Sequence, residues 1–503
     1  MWNISQYRDS ILQANDSIYL LLRRSSPPTI QERVDEQTAK KRKTEERAGR
    51  AAGLGWADVD AKKEVFLMPM KGVEHQWGSI RLDSRRHGLL DIWRKLIDDA
   101  VMTRLKNEFK NGNDFVGSRK SKVSSVVYAK RLNIDDRKLL QAFAACVYIV
   151  GEGRRSSEVR GNGDFKRDQI AHAVNHLKSK HPNVDKKLFS GYQSIATLIT
   201  RVLLTMDYSD QISKNFRSIL DSVGQHAAGD EKLFHFTGNS DLIRLVINKP
   251  GKVGLWFYQL ACKLKVHDKQ LPYLMDTLVH HNRDGVVHVV DIVKRWHKCI
   301  EEVERKSRHH CDQSAWLVFD SYYATSKVRD YLIERGQKLI GSVKHDRFLD
   351  ETAMIHRRHT PDKIGEWRSI YNKETSEVFT YHYDTQKGVG KKHCVSHGLV
   401  RVVDQLSVSQ CSGQTPAYSY YKNMFDVCDS FNRALHDRSW PHTRGGGGIS
   451  GDIGSHHDFL MACILQNVRN AWFALNATDQ RTYSFEVMMK DLAHELYSYS
   501  IDL

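Results

Sequence analysis

Proline is scarce, with 9 in 503 residues, which excludes a proline-rich scaffold. Cysteine is thinly spread, at positions 146, 262, 299, 311, 394, 411, 428 and 463, and no Cys-x-x-Cys pair occurs. That spacing argues against a zinc ribbon and against a disulfide framework, so a reducing intracellular setting is expected. Long apolar runs are missing too. The longest, Ala142 to Val150, falls far short of the ~20 residues that a membrane span needs. The opening segment puts Arg8, Asp9 and amide side chains where a secretion signal needs an apolar stretch. Neither a membrane partner nor export is expected.

What is present is charge and an ordinary apolar fraction. Hydrophobic residues make up 40% and charged residues 27%, which is globular composition. A chain of 503 residues exceeds one ordinary domain. Lys plus Arg number 76 against 60 Asp plus Glu, a net charge of +16. A surplus of that size calls for a polyanionic partner, and with membranes set aside that partner is nucleic acid.

The pattern changes along the chain. Residues 1–60 read as a basic arm expected to lack fixed structure, because Gln37 to Arg47 has almost nothing to bury. Within it, Lys40-Lys41-Arg42-Lys43 has two readings: a nuclear-import patch, or a solvated helix face partnered by Glu45 and Glu46. Residues 61–225 carry helical stripes at Leu89–Ile97, Leu139–Val147 and Ile195–Leu204. From Gly229 onward the texture is that of strands. Lys232–Phe236, Leu242–Ile247 and Val253–Cys262 read as a three-strand meander with a turn at Asn248-Lys249-Pro250-Gly251.

An amphipathic helix follows over Val286–Val303. Next come a buried strand at Ala315–Phe319, a helix at Thr325–Arg335 and a strand at Leu339–Val343. Strand, helix, strand with short links is a βαβ unit with a parallel pair. Meander plus βαβ is the plan of a ribonuclease H-like α/β core, spanning 226–345 and 416–440. It is expected to be interrupted by a polar insertion at 346–415 and flanked by mainly helical DNA-binding and dimerisation segments. The glycine run Gly445–Gly448 and the helices Asp458–Leu475 and Phe485–Leu496 complete the segment 441–503.

Asp320 stands directly after the buried strand, at the sheet edge where α/β folds place ligands. Its plainer reading is a cap for the following turn. Asp230 opens the first strand of the meander, and in the expected sheet that strand lies beside the one ending at Asp320. Asp426 and Asp429, three apart, share a helix face. Gathered carboxylates suit a hard divalent cation, Mg²⁺ or Mn²⁺. His281, His309 and His310 lack zinc-ligand spacing and read as solvated.

These segments resemble a piggyBac-family transposase. The likeness runs through Gly229-Asp230-Glu231 with Phe236-Thr237-Gly238, then Asn248-Lys249-Pro250, then Val318-Phe319-Asp320-Ser321-Tyr322-Tyr323-Ala324-Thr325-Ser326. It continues in Tyr421 to Asp429, Arg438-Ser439-Trp440-Pro441 and Asn470-Ala471-Trp472. Departures are Ser321 where the family has Asn, Asn239 where it has Arg, and Met424-Phe425 where it has Gly-Val. No counterpart of the family's cysteine-rich zinc domain follows the last helix, so weak discrimination between an element's ends and random duplex is expected.

The resemblance implies a cut-and-paste DNA transposase. Asp230, Asp320 and Asp426 would be catalytic, and these three with Asp429 would hold two Mg²⁺ or Mn²⁺ ions. Lys249, Lys252, Trp440 and Arg444 would contact DNA, with Trp440 stacking on an unpaired base. The implied partners are double-stranded transposon ends and target, cut at TTAA, with a homodimer acting in the nucleus. The alternative is a domesticated DNA-binding or scaffolding protein that does not cleave.

Overall fold

The computed structural model describes residues 30–58, 77–82, 88–111, 134–152, 167–199, 209–235, 243–245, 253–266, 269–280, 288–307, 315–344, 347–356, 367–372, 374–375, 377–384, 394–401, 416–436, 452–476 and 483–503. These residues form a mixed α/β protein around a 12-stranded sheet with helices packed on it.

The first described element corrects one expectation. Ile30–Gly53 is a helix, α1, rather than part of an unstructured arm. Two forces offset its ordering cost. Lys40 pairs with Glu36 one turn away at 2.6 Å. Ala48 and Ala51 are fully buried, and Arg50 bridges to Asp350 at 3.0 Å. The basic tetrad lies on an exposed helix face, with Glu36 as the partner of Lys40.

Two short strands follow, β1 (Trp56–Asp58) and β2 (Trp77–Ile80). The helical stripes appear as α2 (Leu89–Leu96), α3 (Asp99–Asn111), α4 (Asp136–Gly151), α5 (Arg167–Ser179), α6 (Tyr192–Leu198) and α7 (Ser209–Ser218). Helix α4 starts where the Asp135 side chain accepts the Lys138 N–H at 2.8 Å. It is buried on every side from Leu139 to Gly151, which explains its near-continuous apolar sequence. β2 and β3 (Leu220–Gly224) pair antiparallel inside the segment expected to be helical. At four and five residues, neither is long enough to print a period on the sequence.

β4 runs from His226 to His235, β5 is only Ile243–Leu245, β6 extends from Val253 to Val266, and β7 covers Lys269–Val279. The expected meander is replaced, among the described residues, by an antiparallel run of other strands, β4-β6-β7, with β5 pairing only with β6. β4 pairs directly with β6, with Asp230 opposite Gln259. β7 was not anticipated, and it pairs with β6 on the other side. Its interior Pro272 disguises it, because proline is tolerated only at a sheet edge or bulge. Among the described residues β7 is such an edge, closed by side chains instead of another strand. Asn467 bonds both the N–H and the C=O of Leu274, at 3.0 and 2.9 Å, and Asn470 donates to the Pro272 carbonyl at 2.6 Å.

The βαβ unit is present. After α8 (Val289–Lys306) come β8 (Trp316–Phe319), α9 (Ser326–Glu334) and β9 (Leu339–Val343). Thr325 caps α9 by accepting from the Val328 N–H, and Gly336 leaves it at φ +69°. β8 is parallel to both β9 and β4. The order β6-β4-β8-β9 thus runs through the middle of the sheet, with β7 pairing β6 as an edge.

Residues 346–415, expected as a polar insertion, hold α10 (Leu349–His356) and three strands, β10 (Trp367–Asn372), β11 (Glu377–Asp384) and β12 (Cys394–Arg401). They extend the same sheet: β12 pairs antiparallel with β9, and β1 closes the far side on β10. The remaining helices are α11 (Pro416–His436), α12 (Asp452–Asn476) and α13 (Phe485–Asp502).

Candidate active site

The register of β4 and β8 builds the site. Gly229 lies opposite Phe319 as the last pair of the parallel ladder. One step further, Asp230 and Asp320 emerge side by side at the carboxyl end of β8. Glu231 joins them. One carboxylate oxygen from each of Asp230, Glu231 and Asp320 lies within 4.8 Å of the others. Asp230 and Glu231 are only 7% and 8% exposed.

Each acid is oriented locally. The Asp230 carboxylate folds back to accept the Glu231 N–H at 2.8 Å. The Asp320 carboxylate accepts the Tyr322 N–H at 2.8 Å, so the capping contact also exists. It engages Oδ1 and is compatible with a place in the cluster. The turn after Asp320 is pinned by Arg347, whose Nη1 donates to the carbonyls of Ser321 and Tyr322 at 2.6 and 2.8 Å.

Gly229 is required by packing. A Cβ there would overlap the Trp296 indole of α8, which lies flat on the strand beside Asp230. Trp296 in turn meets the Tyr323 ring at 4.7 Å between centroids. Tyr323 is fully buried, and burial first, then the negative charges of Glu231, Asp230 and Asp320, push its hydroxyl pKa well above the ordinary value.

Asp426 and Asp429 share a face of α11, as their spacing predicts, but it is the exposed one. Val427, Cys428, Phe431 and Asn432 point at the sheet. Cys428 Sγ meets the Ala228 carbonyl at 3.2 Å, and Asn432 donates to Gln259 at 2.9 Å. Asp426 is held by Arg433 and Ser430, each at 2.7 Å. Burial works to raise its pKa, and these two hydrogen bonds outweigh that, leaving it below the usual value. Asp426 and Asp429 are therefore not among the acids gathered within 4.8 Å. The Cys428 thiol, raised chiefly by burial and then by Asp230 and its chain neighbour Asp429, shows that this face of α11 lies against β4.

Lys249, Lys252, Trp440 and Arg444 lie outside the described residues, as do His281, His309, His310 and the glycine run. Sequence reasoning passed over Glu231 although it adjoins Asp230. Strand alternation assigns neighbours to opposite faces, and only the folded-back Asp230 carboxylate lets both reach one place.

The fold is that of a known transposase. A solved piggyBac transposase, in a synaptic complex with hairpin DNA, superposes with a TM-score of 0.54. The likeness covers 85% of this chain and 84% of that one, at 12% sequence identity. No protein-family model matches the chain, and no curated protein matches it.

Proposed function

We infer that this chain is a piggyBac-like DNA transposase, cutting and joining strands at the carboxylate cluster between β4 and β8. The observation that carries the reading is the parallel register that delivers Asp230 and Asp320 to one point, with Glu231 beside them. The strand order β6-β4-β8-β9, antiparallel on one side of β4 and parallel on the other, with β7 pairing β6, supports a ribonuclease H-like core.

The donor set fits a hard divalent cation. Three mostly buried carboxylates within 4.8 Å repel one another, and oxygen ligands of this kind select Mg²⁺ or Mn²⁺. Asp230 and Asp320 would hold the ion, with Asp426 and Asp429 reaching toward a second from α11. Bound there, such ions supply Lewis-acid stabilisation to the attacking and leaving oxygens of a phosphodiester. The chain's own part is to keep its acids aligned. The Gly229–Trp296 contact holds the middle of β4 in place, and the Arg347 clamp holds the turn that follows β8.

The net charge of +16 supports duplex DNA as partner. Lys249, Lys252, Trp440 and Arg444 are assigned to DNA contact. A homodimer acting in the nucleus at TTAA targets belongs to the same reading.

The test is Mg²⁺-dependent nicking of an end-containing duplex by wild type and Asp320→Ala, with binding followed beside it. The variant is expected to lose cleavage and keep duplex binding, with log K falling by roughly 0.9 per neutralised phosphate as log salt rises. A variant that nicks at the wild-type rate removes Asp320 from the chemistry. A wild type that binds DNA but never nicks, with Mg²⁺ or Mn²⁺, makes the chain a non-cleaving DNA-binding protein.

A further inference from the structure

Glu231 and Tyr323 stand apart from the acids assigned so far. Glu231 is 8% exposed on β4, opposite Tyr258 of β6, and its carboxylate reaches the same 4.8 Å group as Asp230 and Asp320. Tyr323 approaches from the turn after β8 and is 0% exposed. It is wedged between Trp296 at 4.7 Å and Tyr322 at 5.1 Å, ring centre to ring centre, so its hydroxyl cannot swing away. That hydroxyl faces the acids, with Glu231 as its hydrogen-bonding neighbour, though the contact falls short of ideal hydrogen-bond geometry.

A buried hydroxyl left in that condition is costly. So is a set of like charges drawn this close. One rearrangement resolves both. If Glu231 turns one oxygen onto a cation shared with Asp230 and Asp320, its other oxygen can accept a full hydrogen bond from the phenol. Ligand carboxylates are commonly held in this way by an outer hydrogen-bond donor. A phenol is protonated at neutral pH, so it can donate to a carboxylate, which can only accept.

We propose that Glu231 is a ligand of the divalent cation together with Asp230 and Asp320, and that Tyr323 is the positioning residue that aims its carboxylate. The proposal rests on the cation-binding reading of this site and adds to it a third ligand and the group that orients it. It also explains why neighbouring strand residues are both turned inward here, against the alternation of a strand.

The experiment measures Mn²⁺ affinity of the full chain by titration calorimetry and by the paramagnetic resonance of free Mn²⁺, without DNA. Thermal melts are run in chelator. Wild type is compared with Asp320→Asn, Glu231→Gln, Glu231→Asp and Tyr323→Phe. Asp320→Asn and Glu231→Gln are each expected to weaken Mn²⁺ at least ~10-fold, and Tyr323→Phe to weaken it ~10-fold. Tyr323→Phe should melt in chelator near the wild-type temperature, because the hydroxyl it removes makes no well-formed hydrogen bond. A residue that serves packing alone would give wild-type affinity.

Glu231→Asp keeps the charge but shortens the reach. It is expected to fall between wild type and Glu231→Gln, and it carries the test if Glu231→Gln does not fold. Wild-type affinity in the foldable Glu231 variants, with loss in Asp320→Asn, overturns the ligand role of Glu231 and leaves the cation reading standing. Wild-type affinity in Tyr323→Phe overturns the positioning role. No Mn²⁺ binding by the wild type up to millimolar concentration overturns both the proposal and the cation reading beneath it.

Discussion

Two groups of buried acids in this fold are handled in opposite ways. Asp276 on β7 is 0% exposed and is bracketed by arginines, with Arg217 at 3.3 Å and Arg295 at 2.6 Å. Those arginines are anchored in turn by Glu302 and Asp210. The network alternates in sign and joins α7, β7 and α8. Two strands away, on β4 and at the end of β8, Asp230, Glu231 and Asp320 are drawn together with like sign. The first arrangement compensates each charge within the chain. The second accumulates charge where a ligand can reach. Burial of an acid thus says little about its role, and the sign of its neighbours says much.

The sharpest way to break this comparison is to neutralise one acid in each group. Asp276→Asn should destabilise by about 3 kcal/mol or more, because it strips a buried ion network of its central charge. Urea denaturation in chelator checks this, and a loss below ~1 kcal/mol would mean the network is not a structural unit. Gly229→Ala should rank next. The added methyl group meets the Trp296 ring, and overpacking of this kind costs about 2–3 kcal/mol. A smaller loss in the double variant Gly229→Ala, Trp296→Leu would show that the ring is the obstacle.

Asp230→Asn should run the other way. The amide oxygen can still accept the Glu231 N–H, while a like charge is removed. Stability in chelator is therefore expected to stay level or rise by up to about 1 kcal/mol. A loss as large as that of Asp276→Asn would erase the contrast between the groups. The smallest effect belongs to Asp426→Asn. Its partner Arg433 is 65% exposed and the acid 49%, and pairs this open are worth about 0.5 kcal/mol. A shift beyond ~1 kcal/mol in the same denaturation series would show that Asp426 is tied into the fold more deeply than its exposure implies.

Much of the candidate site was legible in the linear chain. An acid after Ala315–Phe319, and another in a strand just after Gly229, are local patterns, though Asp230 proved to lie within β4 rather than at its start. The plan of meander plus βαβ unit further implied that the strands bearing Asp230 and Asp320 would be neighbours, although the antiparallel run itself joins other strands. Three things were not legible. β7 was hidden by Pro272, whose tolerance depends on lying at an edge closed by Asn467 and Asn470, nearly two hundred residues later. The strands of 346–415 bury Ile370, Val378, Phe379 and Tyr381, but these are interleaved with charged and polar residues, which masked them as a mixed insertion. Asp426 and Asp429 were correctly placed on one helix face, but a helix period fixes relative angles and leaves open which face meets the sheet.

The amino-acid sequence by itself determined the local elements and the chemistry on offer: helices with their caps, the buried strand before Asp320, the surplus of positive charge and the supply of carboxylates. These follow from short-range sterics and burial preference, which act between residues close in the chain. Only the tertiary structure decided which carboxylates meet. Asp230 and Asp320 are brought together by a parallel register between strands ninety residues apart. Glu231 joins them because the Asp230 side chain folds back on the backbone, and Tyr323 is aimed at them because Trp296 occupies the space that Gly229 leaves. Such contacts are set by packing across the whole sheet, and no local period in the chain encodes them.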